Sequence, residues 1–260
     1  MTEITISIIS HGNLRDVKKL LTDIQDYIED RIKIIITFNI PEENSILEEY
    51  KSLDIELIYN KSPKGFAANH NNAFKKSDTK YFAVVNPDIR LNKSNPFKNL
   101  IFHLSQHKNS GVASPIILDN QGEQDDFIRS NLTPYSLIKK YIFSRKNNQK
   151  IIDKKDFYWI GGMFLVFRSK IYSDIGGFDE RYFLYCEDCD ICMRLFLKNY
   201  TIDFLEESSV IHNAQRSSHK SFRFFLLHLR SLFRLWFSYP FIKLNLKLMY
   251  KALCVKINHE

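Results

Sequence analysis

Glycine and proline are sparse in this 260-residue chain, 8 and 7 respectively, and cysteine is rarer still at 4. Three of the cysteines (Cys186, Cys189, Cys192) crowd into one short stretch. Neighbours on one helical turn cannot staple distant segments, so no disulfide framework is expected and the thiols read as reduced. No window of about 18 residues is free of charge, which argues against a membrane-spanning helix. The opening TEITISIIS has no basic stretch and reads as a strand, so no signal peptide is expected. After that strand comes SHGNLRD rather than a G-x-G-x-x-G turn, and no G-x-x-x-x-G-K-[ST] occurs anywhere. A dinucleotide dehydrogenase and a P-loop NTPase therefore lack their phosphate cradles.

Hydrophobic residues make up 44% of the chain and charged residues 26%, the balance of a soluble globular protein of one or two domains. The net charge of +7 is unevenly spread. Nine lysines and arginines and no acidic residue lie between Arg216 and Lys256, interleaved with aromatic and leucine residues such as Phe222, Phe225, Leu232, Phe233 and Trp236. Such a basic amphipathic tail fits an anionic membrane surface. It fits equally a helix packed on the domain with its basic stems snorkelling outward. No nucleic-acid-binding motif accompanies the charge, so no nucleic acid partner is expected.

Apolar runs of strand length occupy 4–10, 32–38, 55–60 and 81–86, with helix-like segments at about 14–28, 43–52 and 66–76 between them. This alternation predicts an α/β fold whose mostly parallel sheet is flanked by helices on both faces. Ligands of such sheets sit beyond the carboxyl ends of the strands, and the residues just after each strand are the ones to inspect. The polar stretch 119–156 reads as a variable connection, a loop or lid.

The fourth strand ends in VVNPDIRL, placing Asp88 where the chain leaves the sheet. A carboxylate there can hold a hard divalent cation, although NPD is also an ordinary turn signal. KSPKGFAANHNNAF follows the third strand; Gly65 allows close backbone approach, and Asn69, Asn71 and Asn72 crowd a helix start. That helix end suits an anionic or sugar-bearing ligand, or is simply an asparagine-rich cap.

FLYCEDCDICMRL poses the sharpest question, because its C-x2-C-x2-C spacing is threaded by carboxylates. A helix beginning near Glu187 would carry Asp188 in its first turn, where the dipole favours an ionised carboxylate fit to act as a base. Glu187 would point about 100° round the helix toward another partner. Asp190 and Arg194 are spaced as a helix-surface pair. An iron–sulfur run needs a fourth thiolate, and zinc ribbons need a second knuckle. The only other cysteine is Cys254, so the thiols read as small apolar fillers. His212, past a short apolar run, is either a structural residue or a metal ligand.

Taken in order, ISIISHGN, GFAANHNNAF, VVNPDIRL, WIGGMFLVFRS, GGFDERYFLYCEDCDICMRL and VIHNAQR resemble family 2 glycosyltransferases of the bacterial rhamnosyltransferase type, over roughly residues 3 to 236. The resemblance implies a GT-A fold and an inverting mechanism. It implies a catalytic domain over 1–215, with a nucleotide-sugar half to about 118 and an acceptor half over about 157–215, followed by the basic helical segment 216–260. It implies a nucleotide-sugar donor, dTDP-rhamnose foremost, together with Mg²⁺ or Mn²⁺. The acceptor would be a lipid-linked saccharide in surface polysaccharide (O-antigen) synthesis, at the cytoplasmic face of a membrane. On the same basis Asp188, with Glu187, supplies the base, and Asp88 and His212 serve the metal. Ser10, His11, Asn39, Gly65, Phe66, Asn69, Asn86 and Asp88 serve the donor, and Gly161 and Gly162 line the acceptor side. One departure stands out: Phe38 occupies the place where the family commonly has an Asp that contacts the base. Phe38 is therefore a candidate to stack on the base. A UDP-sugar donor, or a scaffold that binds without catalysis, are the alternative readings.

Overall fold

The β-branched runs form strands because their side chains pack well on a pleated, buried surface. The computed structural model describes residues 3–29, 31–43, 45–137, 157–213 and 222–257. Its first half alternates β1 (Ile4–Ser10), α1 (Leu14–Tyr27), β2 (Lys33–Phe38), α2 (Ile46–Glu49), β3 (Asp54–Tyr59), α3 (Phe66–Phe74) and β4 (Tyr81–Val85). There follow β5 (Ile89–Arg90), α4 (Pro96–Gln106), β6 (Ser110–Leu118), β7 (Ile128–Ser130), β8 (Tyr158–Ile160) and β9 (Phe164–Arg168). The chain continues through α5 (Ser169–Asp174), α6 (Glu187–Leu197), β10 (Thr201–His212), α7 (Phe222–Trp236) and α8 (Tyr239–Ile257).

An 8-stranded sheet runs in the order β3-β2-β1-β4-β9-β6-β10-β5, and β7 pairs with β8 in a separate 2-stranded sheet. The strands β3, β2, β1 and β4 are parallel, as are β6 and β10. Antiparallel β9 is inserted between β4 and β6, and β5 closes the edge antiparallel to β10. Ile6, Ile8, Ile34, Ile36, Val84 and Val85 are buried at the centre of the sheet.

Helix α1 buries Val17, Leu20, Leu21 and Ile24, the face expected of it. The helix expected over 43–52 contracts to α2, because Ile46 and Tyr50 are the only buried residues described in that stretch. The polar connection holds more order than its composition suggests: β7 lies within it, whereas 138–156 are outside the described residues.

The C-terminal helices pack by one face. Ser231, Leu232, Leu235, Phe241 and Leu244 are buried. Ser231 Oγ donates to the Leu184 carbonyl at 2.8 Å, and Trp236 Nε1 donates to the Leu132 carbonyl at 2.9 Å. The other face leaves large aromatics in solvent. Among the described residues no helix is long and apolar enough to cross a membrane.

Candidate active site

Four parallel strands end together, and polar residues begin where they stop. Ser10 closes β1, Asn39 follows β2, Asn60 follows β3, and Asn86 follows β4. Asn39 is a hub: its Oδ1 accepts from Asn60 Nδ2 and from the Lys64 N–H, both at 2.8 Å. Its Nδ2 donates to the Lys64 carbonyl at 3.0 Å and lies 3.1 Å from His11 Nδ1. Asn60 Nδ2 also donates to Asn69 Oδ1 at 2.7 Å, so the start of α3 is stitched to the ends of β2 and β3. Glu42 folds back across this edge, accepting from Ser10 Oγ (3.0 Å), the Gly12 N–H (3.0 Å) and the Leu14 N–H (3.1 Å). A carboxylate at the N-terminus of α1 is where the helix dipole favours one.

Phe38 is 1% exposed and stacks on Tyr59, with ring centroids 5.3 Å apart. It belongs to the core, and the ring that meets solvent beside it is Tyr59, 60% exposed. The idea that Phe38 itself stacks on a base is thereby corrected.

Asp88 and His212 meet because β5 pairs with the end of β10, in a register that sets His212 opposite Ile89. The Asn213 N–H donates to the Asp88 carbonyl at 3.0 Å and tightens the same corner. Arg90 Nε and Leu91 N donate to buried Asp23 of α1 at 2.6 and 3.1 Å, anchoring the turn from beneath. His212 Nε2 lies 3.4 Å from Asp88 Oδ2, and its Nδ1 lies 3.1 Å from Asp125 Oδ2. Burial pulls the imidazole down, but the Asp125 and Asp88 carboxylates outweigh it and raise it to about 9. The His212 hydrogen bond in turn holds Asp125 below the ordinary carboxylate range.

Asp88 Oδ1 is buried with no hydrogen-bond partner among the described residues, an oxygen free to meet a hard cation. Asp125 grips the opposite nitrogen of the ring and cannot share a metal with Nε2. Consistent with that, no group of three or more His, Cys, Asp or Glu side chains is arranged to hold a metal among the described residues.

Helix α6 begins at Glu187, as its apolar spacing predicts. Tyr185 and Cys186 just before it have φ of 73° and 69°, a left-handed entry that non-glycine residues adopt only where surroundings impose it. The constraint is visible: the Phe66 N–H donates to the Phe183 carbonyl at 2.9 Å. Asp188 Oδ2 accepts from the Gly162 N–H at 3.1 Å, and Oδ1 accepts from the Cys189 N–H at 2.9 Å. The Asn86 N–H donates to the Met163 carbonyl at 2.9 Å, so the NPD turn, the Gly161–Gly162 turn and Asp188 form one backbone-linked chain. A side chain on Gly162 would press on Phe66 at 3.2 Å and reach Asp188 at 3.7 Å.

The helix dipole does not decide the charge state of these carboxylates; burial does. Burial raises Asp188, opposed by the Arg129 charge and the Gly162 and Cys189 N–H groups. Burial and then the Asp188 charge raise Glu187 well above its ordinary value. Glu187 Oε2 has no partner among the described residues. Asp188, which has the donors, is therefore the better placed of the two to carry negative charge, and that charge in turn raises Glu187.

Asp190 and Arg194 do pair, at 2.7 Å, but Asp190 is 1% exposed and the pair is internal. It braces the preceding loop, since Arg194 Nη1 donates to the Ile175 carbonyl at 2.7 Å. Cys186, Cys189 and Cys192 are buried, and burial pushes all three thiols up, Cys192 to about 12. They are protonated fillers rather than thiolate ligands.

Two residues of this site carry no local signal in the sequence. Asp125 sits in a polar connection, and Arg129, lying over the Trp159 ring at 5.1 Å, is close enough to act on Asp188.

The model of glycosyl transferase family 2 matches residues 5–173, and that of glycosyl transferase family group 2 matches 103–250. The chain is 27% identical over 250 residues to the rhamnosyltransferase WbbL of Escherichia coli (strain K12), covering 88% of this chain and 90% of that protein. It is 25% identical over 146 residues to the N-acetylglucosaminyl-diphospho-decaprenol L-rhamnosyltransferase of Mycobacterium tuberculosis (strain CDC 1551 / Oshkosh), covering 52% of this chain and only 47% of that protein. Among solved structures, the mannosyltransferase PcManGT of Pyrobaculum calidifontis, in complex with GDP-Man and Mn²⁺, superposes with a TM-score of 0.60 at 12% identity. That superposition covers 96% of this chain and 75% of the other. The fold is the GT-A fold of such enzymes.

Proposed function

Because the chain belongs to glycosyl transferase family 2 and is a glycosyltransferase, we propose that it moves L-rhamnose from dTDP-rhamnose to a saccharide carried on a lipid. The transfer inverts the anomeric centre and serves a surface polysaccharide such as O-antigen, at the cytoplasmic face of a membrane. The donor sugar is supported by the two relatives named as rhamnosyltransferases. The lipid-borne acceptor is supported by the mycobacterial relative, whose name carries a diphospho-decaprenol.

The observation that carries the chemistry is Asp188, a half-buried carboxylate fixed by two backbone N–H groups beside the Gly161–Gly162 turn. In a one-step inversion Asp188 takes the proton of an acceptor hydroxyl as that oxygen bonds to the anomeric carbon. The bond from that carbon to the nucleoside diphosphate breaks on the opposite side. The Arg129 charge favours the ionised form of Asp188 before the proton arrives, and the carboxylate becomes neutral as it takes that proton.

The donor's nucleotide rests at the strand ends formed by Ser10, His11, Asn39, Gly65, Phe66 and Asn69, with Asn86 and Asp88 toward the diphosphate. Asp88 and His212 would hold a divalent cation, Mg²⁺ or Mn²⁺, which when bound offsets the charge on the departing diphosphate. The orphaned Asp88 Oδ1 fits that assignment.

A thermal-shift series with Mn²⁺ plus dTDP, UDP or GDP tests the donor, because selective binding raises the melting point by mass action. A shift with dTDP alone is expected. A larger shift with UDP would keep the reaction class and replace the sugar, and no shift with any nucleotide would leave a scaffold without a donor.

A further inference from the structure

The outward face of the C-terminal helices is not used by the transfer site. Helix α7 turns Ser231, Leu232 and Leu235 inward, which leaves Arg230, Phe233 and Arg234 on its outer side, with Phe237 just past its end. With Arg181 and Ser238 these residues line an open cleft of about 390 Å³. The cleft is positive. Arg181 is paired with Asp179 at 2.6 Å, while Arg230 and Arg234 have no ion-pair partner among the described residues. Its rim is apolar: Phe233 and Phe237 are 50% and 78% exposed, and Phe222, Phe225 and Tyr239 continue the row at 60% or more.

A contiguous exposed aromatic row marks a surface meant to be covered. Guanidinium groups match phosphate oxygens by bidentate hydrogen bonds, better than a point charge would. Phosphate below an apolar layer is the order of groups at a bilayer surface, where aromatic rings sit among acyl chains and basic groups at the headgroups. The surrounding segment favours the same occupant, since Arg216 to Lys256 holds nine basic residues and no acid that would repel an anionic lipid. A second copy of the chain fits less well, because a two-fold contact would set this basic face against itself. A soluble phosphate would leave the aromatic row uncovered.

We propose that the Arg181–Arg230–Arg234 cleft binds the headgroup phosphate of an anionic membrane phospholipid, with the aromatic row of α7 and the start of α8 seated among the acyl chains. Helix α7 also holds the entry to the catalytic helix, through the Ser231 bond to Leu184 and the Tyr185 and His228 rings 4.9 Å apart. Docking by this cleft therefore brings residues 184–188 to the membrane surface, where a lipid-carried acceptor would be found. The inference sharpens the membrane placement of the function proposed above, but needs neither donor nor acceptor to be tested.

The test is co-sedimentation of the full chain with phosphatidylcholine vesicles, with and without phosphatidylglycerol. Wild type is compared with Arg230→Gln/Arg234→Gln and with a control that removes two charges elsewhere on the helices, Arg223→Gln/Lys243→Gln. Unchanged melting points and nucleotide shifts establish that each variant is folded. The expected result is binding only to phosphatidylglycerol vesicles, weakened about tenfold or more in the cleft variant and far less in the control. Equal weakening in both variants would reduce the effect to diffuse charge and overturn the site. Absence of wild-type binding to any vesicle, with a dimer in solution, would give the face to a second copy. Stabilisation by inorganic phosphate that only the cleft variant loses, with its vesicle binding intact, would make the cleft a soluble-anion site and equally overturn the lipid.

Discussion

Phe183 and Gly65 meet backbone to backbone: a Cβ placed on Gly65 would lie 2.5 Å from the Phe183 carbonyl oxygen and 2.7 Å from its Cα. That approach lets the Phe66 N–H reach the Phe183 carbonyl and pins the strained entry to helix α6. Donor-side and base-side segments are joined at this point.

Gly65→Ala is expected to destabilise the protein by about 1–3 kcal/mol, because the obstructing atoms are backbone and cannot rotate away. Turnover should fall further than stability alone explains, since the shift is transmitted to Glu187 and Asp188. Denaturant unfolding alongside kcat checks both. An alanine variant of wild-type stability and rate would contradict the clamp.

Asn71 holds the segment that leads to this loop. Its Oδ1 accepts from Tyr172 OH and the Phe178 N–H, and its Nδ2 donates to the Phe178 carbonyl and Glu180. Asn71→Ala strands several buried polar groups at once, and a loss of about 3 kcal/mol or more is expected from urea titration. Glycine is required at 177 beside it, where a Cβ would fall 2.5 Å from Asn71 Oδ1.

Asp125 and Asp88 should separate in a metal titration. Asp88→Ala is expected to abolish the Mn²⁺-dependent part of nucleotide stabilisation. Asp125→Asn, which removes the carboxylate behind His212, should weaken apparent metal affinity by about 10–100-fold while leaving the maximal shift intact. Identical titrations for wild type and Asp125→Asn would remove Asp125 from the site.

The acid side of the stability curve carries a signature of His70. Burial lowers this histidine to about 3, and its Nδ1 lies 2.8 Å from Ser7 Oγ. The unfolded chain binds its proton near the ordinary value of 6.5, the folded protein only near 3, so stability is lost as pH falls through that window. Glu187 acts with the opposite sign: its folded value is raised, so its contribution is fully present below the ordinary value and lost as pH rises. His70→Gln removes the first contribution alone and should flatten the decline between about pH 6 and 4. Parallel wild-type and variant curves would refute this.

Much of this architecture could be read from residue patterns, and the exceptions have a common cause. Strand runs and the α1 face follow a local period of apolar residues, which a sequence displays directly. Asp88 and Asp188 were singled out because strand ends and helix starts are where an α/β sheet exposes chemistry, whereas the Gly161–Gly162 turn entered only through the family resemblance. Asp125 and Arg129 were not, because each acts through a contact 87 or 59 residues distant in the chain, with His212 and Asp188. Phe38 looked free to stack on a ligand, but its exposure depends on Tyr59 of the neighbouring strand. Asp190 and Arg194 have surface spacing, yet the preceding loop, whose Ile175 carbonyl accepts from Arg194, meets that face and the pair is internal.

The most direct test of the account is single-turnover sugar transfer by Asp188→Asn, with donor binding followed in the same preparation. The isosteric amide keeps the fold but cannot take the acceptor proton. Transfer should slow by about a hundred- to ten-thousand-fold while nucleotide affinity stays within a few-fold of wild type. In wild type the acid limb of the rate profile should lie above the ordinary aspartate range, because burial raises Asp188. Transfer at the wild-type rate by Asp188→Asn would contradict the assignment of the base and, with it, the reading of the site.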